Sequence, residues 1–428
     1  MNERLLQYIW QFQLFNKAEL STIAGENISI QNPGQINHNQ GPDFLNARLR
    51  INETTWAGNV ELHILTSDWD KHGHHGDANY DNVILHVVWE HDSEAGPKIP
   101  ILALAGKVPR ILLQRYEELM RGLNFIPCEN LLSTVPELTW KHWVDRLITE
   151  RLERKASHAL ESLKQTQFHW EETFWILLAK NFGLRVNTES FEAMARSIPL
   201  SILSRHKHQV QQIEALLFGQ IGLLENKLAD HYPKLLQREY QFLRKKYKLR
   251  PIHLPVFFLR MRPGNFPSIR LAQLSMLIHN SVHLFSRVKE CDSITELQSW
   301  FDVVANDYWH YHYRFDEASS FKIKKLGSSM TWNIIINTIV PLLFAYGQYN
   351  DQQKYKNKAL EWLEKVPGEN NSIINQFMQR NVSCRNAMES QALLELKNEY
   401  CDKRRCLECA VGHAILKTKN EHPPMIPR

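Results

Sequence analysis

The stretch Gly41–Leu65, GPDFLNARLRINETTWAGNVELHIL, decides how this chain is read. It holds two β-rich runs, Phe44–Ile51 (FLNARLRI) and Asn59–Leu65 (NVELHIL), and the polar segment Asn52–Gly58 between them suits a hairpin. Side chains alternate along a strand, so Glu61 and His63 project from one face while Val60, Leu62 and Ile64 project from the other. That pattern puts a carboxylate and an imidazole on one side of a sheet whose back is core. Asp43 opens the adjoining strand and reaches toward the same point. Downstream, Asn82–Trp89 (NVILHVVW) is a nearly continuous apolar run, the signature of a strand covered on both faces. Pro97–Val108 adds a further candidate strand, and Arg4–Leu14 reads as a short amphipathic helix ahead of them all.

After Pro109 the pattern turns helical. Trp140–Thr166, Trp170–Phe182, His208–Leu223, Tyr232–Tyr247, Ser268–Phe285 and Ala387–Tyr400 carry helical periodicity, with breaks near Leu249–Pro255, Arg262–Pro267 and Val366–Asn371. The expected fold is therefore α+β, an N-terminal mixed β-sheet module followed by a mostly α-helical region. The expected division is residues 1–110 for the α/β module, 111–380 for a basic helical domain and 381–428 for a Cys-rich segment. Glu421–Arg428 reads as a loose tail.

A length of 428 residues with 43% hydrophobic and 23% charged residues excludes a disordered chain and suits two or three domains. Met1–Gln13 lacks the features of a secretory signal, and the apolar run Ile334–Gly347, with Asn337 and Pro341 inside it, reads as a core helix too short to span a bilayer. Six cysteines in a chain this long do not read as a secreted disulfide framework. The expected compartment is the cytoplasm, with no membrane association. Residues 1–110 hold 8 Lys/Arg against 13 Asp/Glu, and residues 111–428 hold 43 against 33. An acidic module beside a basic one suits a metal-dependent enzyme with a polyanion-binding partner region.

Asp43, Glu61 and His63 are the candidate metal ligands and catalytic groups. Two acids hold an oxygen-seeking Mg²⁺ or Mn²⁺, the ion polarises a phosphodiester, and a nearby base aligns or activates water. The order resembles the PD-(D/E)xK nucleases, with Pro42-Asp43 at a strand start and Glu61-x-His63 on the neighbouring strand. It implies a restriction-endonuclease-like module, although His63 stands where those enzymes usually carry Lys. The following segment, Ser67-Asp-Trp-Asp-Lys-His-Gly-His-His75, is similar to the histidine-bearing segment of very-short-patch mismatch-repair endonucleases, and marks His72 and His74 as further catalytic candidates. Alternatively His72, His74 and His75 form a transition-metal site with Asp68 or Asp77, because imidazole favours Zn, Fe or Ni. An isolated Glu-x-His is often surface decoration, and His86 inside an apolar strand reads as a core histidine. Seven histidines in the first 110 residues argue against decoration alone.

Near the C-terminus, Cys401-x4-Cys406-x2-Cys409 with Cys384 upstream offers four soft ligands for tetrahedral Zn²⁺ or an Fe–S cluster. Free thiols are the alternative. Cys128 and Cys291 read as lone core cysteines. Lys403, Arg404 and Arg405 inside the loop, with Arg151/Arg154/Lys155, Arg244–Lys248, Arg260/Arg262 and the aromatic string Tyr308–Phe315, are candidate phosphate and base contacts, making nucleic acid the expected partner. Solvated helix faces and core aromatics are the competing reading.

Gly41-Pro-Asp-Phe44, Trp56-x-Gly58 through His63, Tyr80–Val88, Arg262-Pro263-x-Asn265-Phe266-Pro267 and Tyr400–Gly412 together resemble an uncharacterised bacterial domain-of-unknown-function family found in Bacteroidetes. That resemblance implies no activity. The residues favour a divalent-metal-dependent nuclease, against a non-catalytic nucleic-acid-binding or scaffold protein stapled by Zn or Fe–S, or a His-rich transition-metal enzyme acting on a small molecule.

Overall fold

The computed structural model describes residues 1–93, 98–122, 124–281 and 283–418; the expected tail Glu421–Arg428 lies outside them. Contacts divide the chain into two units, residues 1–144 with 396–428, and residues 145–395. The expected boundaries stood at 110 and 380.

The first unit opens with α1 (Glu3–Gln11), whose N-cap Asn2 accepts the Leu5 N–H and whose Leu5, Leu6, Tyr8, Ile9 and Trp10 are buried. The sheet follows: β1 (Ile28–Asn32), β2 (Gln35–Ile36), β3 (Phe44–Ile51), β4 (Thr54–Leu65), β5 (Val83–Glu90) and β6 (Ile101–Ala103). Its order is β1-β3-β4-β5-β6, with β2 also pairing β3. β3 runs antiparallel to its neighbours β1 and β4, while β5 runs parallel to β4 and β6 parallel to β5. The sheet is mixed, as the sequence predicts. β1 and β2 were not foreseen: both are short, polar and weakly patterned.

Two local features set the central register. β4 starts at Thr54, so the hairpin is closed by Asn52 and Glu53 rather than by the longer Asn52–Gly58 segment. Asn52 adopts a left-handed φ of 49°, a conformation that Asn tolerates better than most residues. The β3–β4 ladder then shifts between Phe44 and Ala47, where Asn46 also has positive φ, 58°. Such a bulge ends regular pairing and re-aims neighbouring side chains; it stands just after Asp43. In the parallel ladder Glu61 pairs with His86 and His63 with Val88. Val60–His63 and Val83–Val88 are buried without interruption, so these strands are covered on both faces.

Among the described residues, the regular structure of the second unit is helical apart from a two-stranded ribbon, His312–Arg314 with Glu317–Ala318, and two isolated β-bridges. Trp170–Phe182 forms a helix with the predicted bounds; the predicted Ser268–Phe285 helix breaks after Asn280 and resumes at Leu284. The apolar run 334–347 belongs to a longer helix, Ser328–Tyr349, of 22 residues, long and apolar enough to cross a membrane by length and composition; 72% of its apolar window is buried within the protein. Its register widens to a π turn at Ile335–Ile339, just ahead of Pro341, whose ring would otherwise press on the Asn337 carbonyl.

Gly58 tests this packing. A Cβ there would stand 2.5 Å from Ile84 Cγ2 and 2.6 Å from the Asn82 carbonyl. Gly58→Ala is expected to cost about 1–3 kcal/mol through overpacking, read as a lowered denaturation midpoint; an unchanged midpoint would contradict the tight β4–β5 approach.

Candidate functional site

The site grows out of the two central strands and the segment that joins them. Asp43 precedes β3; its backbone N–H donates to Glu61 Oε2 at 3.0 Å, and its own carboxylate accepts the Leu62 N–H at 3.2 Å and the Gln7 amide at 2.8 Å. The hairpin thus locks the two acids together by reciprocal backbone bonds, with α1 supplying the third contact.

Glu61 and His63 share a face, and the β4–β5 register brings His86 onto it. His63 Nδ1 lies 2.9 Å from His86 Nε2, and His63 Nε2 lies 3.0 Å from His72 Nδ1. Each contact needs one protonated and one bare nitrogen. When all three rings are neutral, a proton donated by His86 therefore obliges His63 to donate to His72, and the reverse.

The connection after β4 folds back over this face. The short helix α2 (Asp68–Lys71) places the buried Trp69 edge-on to His63 and tilted against His86, and the turn at His74–Gly76 stacks His74 on Tyr80 with centroids 3.9 Å apart. His74 Nε2 sits 3.5 Å from Glu61 Oε1, as does His63 Nε2, and His74 Nε2 is buried without a hydrogen-bond partner.

Four ligand atoms therefore converge: Glu61 Oε1, His63 Nε2, His72 Nδ1 and His74 Nε2. The His63, His72 and His74 ligand atoms all lie within 4.8 Å of one another. In a tetrahedral site with nitrogen ligands about 2.0–2.1 Å from the metal, neighbouring donors stand about 3.4 Å apart. Three of the six donor pairs, at 3.0, 3.5 and 3.5 Å, stand close to that spacing. The donor set fits a divalent ion of the imidazole-binding kind. His72 is exposed, so the site opens to solvent on that side.

Electrostatics point the same way. Burial, and then the Asp43 charge, push Glu61 upward; burial also raises Asp43, against the lowering effect of the Leu62 N–H. Burial, and then the neighbouring imidazoles, hold His63 at about 3, and burial first also holds His86 at about 4 and lowers His74. Neutral imidazoles and carboxyls that resist ionisation are what a desolvated ligand set becomes without a cation.

Of the residues singled out in the sequence, Asp43, Glu61, His63, His72 and His74 are brought together. His75 is not: it is exposed and pairs with Asp70 at 2.5 Å. Asp68 turns to the Leu65 N–H and Lys71. His86 is more than a core histidine, since it orients His63. Gln7 and Tyr80 carried no signal beyond helical and turn patterning.

The expected four-cysteine group is altered. Cys401, Cys406 and Cys409 lie together in the first unit, but Cys384 belongs to the second, with its sulfur toward the Asn386 carbonyl at 3.9 Å. All six cysteines are free thiols. Several basic candidates are used internally. Arg404 binds the Leu119 and Gly122 carbonyls, and Arg405 pairs with Glu408. In the second unit, Arg151 and Arg154 converge on the buried Glu395, while Lys155 reaches Asn337 and Gln391. Trp309 is fully buried against Phe218, so it offers no stacking surface. Arg244, Lys245, Lys246 and Lys248 remain exposed, as do Arg260 and Arg262.

The chain matches the family described as "Protein of unknown function (DUF2851)" over residues 3–372, a span that contains every residue of the histidine–carboxylate site. No curated protein and no solved structure matches it.

The titration of the site gives a test. A carboxyl raised from 4.5 to about 8 keeps a proton that the unfolded chain releases, so Glu61 removes stability as pH rises through that window. His63 and His86, lowered from 6.5 to about 3 and about 4, act oppositely, but only up to about pH 6.5. With a chelator present, the melting temperature should fall between about pH 6.5 and 8, and Glu61→Gln should flatten that fall. An equal fall in both proteins would refute the assignment.

Proposed function

We propose that this chain, which belongs to the DUF2851 family, is a divalent-metal-dependent hydrolase of phosphodiesters, a nuclease. One observation carries the reading: the Glu61 carboxylate, held by Asp43 on the adjacent strand, meets the imidazoles of His63 and His74, and those two close with His72 into one group. Glu61, His63, His72 and His74 would hold that ion, and Asp43 would position Glu61. When bound, a divalent cation there polarises a phosphoryl oxygen and makes coordinated water acidic enough to attack near neutral pH.

The chain's own groups supply the rest. His86, locked in the sheet, fixes the ring plane of His63, and accepts its Nδ1 proton when Nε2 is a ligand. Trp69 keeps bulk water from the inner side. His72, at the exposed rim, would close the ligand set on the solvent side. The substrate class is supported by the likeness of Pro42-Asp43 and Glu61-x-His63 to PD-(D/E)xK nucleases, here on neighbouring antiparallel strands, and by the exposed basic run Arg244–Lys248. Three imidazoles favour Mn²⁺ over Mg²⁺ as the activating ion.

The test is hydrolysis of a panel of single- and double-stranded DNA and RNA with Mn²⁺ or Mg²⁺. Glu61→Ala and Asp43→Ala should reduce cleavage to background, and His86→Ala should weaken metal affinity or activity by about 10- to 100-fold. Cleavage unchanged by both acid substitutions would end this reading. The same imidazoles also support a second one, a transition-metal enzyme acting on a small molecule. Stoichiometric zinc or iron bound through the histidines, with no nucleic acid in the panel cleaved, would favour it.

A further inference from the structure

We infer that Cys128, Cys401, Cys406 and Cys409 form a four-thiolate site for an iron–sulfur cluster, distinct from the histidine–carboxylate site. These four cysteines line one small apolar space together with Ile126, Tyr400 and Val411, and all four are buried. The assignment replaces Cys384 with Cys128, a residue remote in sequence from the other three.

The four thiols are near enough to act as one ligand set: after burial, neighbouring Cys128, Cys409 and Cys406 push the Cys401 thiol further up. Four thiolates around an apolar space suit an iron–sulfur cluster, in which each binds a different iron.

The local backbone is shaped around the sulfurs. Cys401 closes a π turn, Leu396–Cys401, a widening that recurs at functional sites. Cys409 caps the helix Ala410–Lys417, and the Val411 and Gly412 N–H groups donate toward its sulfur, with the Trp143 side chain also facing it. Such hydrogen bonds stabilise cluster thiolates and tune their iron. Position 412 must be glycine, since a Cβ there would stand 2.1 Å from the Cys406 carbonyl oxygen. Arg404, between Cys401 and Cys406, grips the Leu119 and Gly122 carbonyls and so ties the loop to the segment that leads to Cys128. Thiolates are soft ligands and the surroundings are apolar, which suits iron and sulfide rather than a hard cation.

The experiment uses the full chain purified without oxygen. About four irons and four acid-labile sulfides per chain, with a broad visible absorbance that reductant bleaches, are expected. Cys128→Ser should lose that chromophore, and Cys384→Ser should keep it. Should Cys128→Ser not accumulate, thiol alkylation of the wild-type protein decides: the four cysteines should be protected together and become reactive together once iron is stripped. Zinc at one per chain without sulfide, neither metal nor sulfide, loss of the chromophore in Cys384→Ser but not Cys128→Ser, or a Cys128 that reacts in the iron-loaded protein would each overturn the inference.

Discussion

The reciprocal bonds between Asp43 and the Glu61–Leu62 backbone are the constraint on which the N-terminal unit depends. They join side chains to the β3–β4 hairpin where the bulge interrupts the ordinary ladder, so two carboxylates are brought to one place by strand pairing itself. Burying both acids is unfavourable unless hydrogen bonds and a counter-charge offset the loss of water. Backbone N–H groups supply part of that offset, and imidazoles surround the rest. Because the neighbouring strands are covered on both faces, the fold itself holds these groups in position.

Much of this arrangement could be read from the chain alone. The period-two alternation in NVELHIL places Glu61 beside His63, and the strand breaks around it imply the hairpin that delivers Asp43. What could not be read depends on long-range register. His86 looks like any apolar-strand histidine until β5 is aligned with β4 in parallel, an alignment set by the intervening turns rather than by local pattern. Gln7 reaches Asp43 only because α1 packs beside the sheet. The cysteines teach the same lesson more sharply. Cys384 is far nearer to Cys401 in sequence than Cys128 is, yet it folds into the other unit.

Among the basic and aromatic residues, local pattern does not separate those turned inward, such as Arg151 and Trp309, from those left exposed, such as Arg244 and Tyr311. Arg151 and Arg154 are charge partners of Glu395, a carboxylate only 3% exposed. Removing both partners would leave an uncompensated buried charge, so the pair holds Glu395 within the helical unit. Trp309 donates its ring N–H to the fully buried Glu214, which also accepts from Tyr232. Composition records charge and aromaticity; it does not record which of them face water.

The discontinuity of the first unit bears on the order of events during synthesis. Its opening helix and its closing one touch directly, through the Tyr8 hydroxyl at 2.7 Å from His413 Nδ1, and Arg115 donates to the Ile415 carbonyl at 3.1 Å. Emerging from the ribosome, residues 1–144 have to wait, incomplete, while the whole of 145–395 is made. Prior folding of that inserted unit fixes the chain between its two ends, so the entropy lost in joining residue 144 to residue 396 is far smaller than for a flexible loop of the same length.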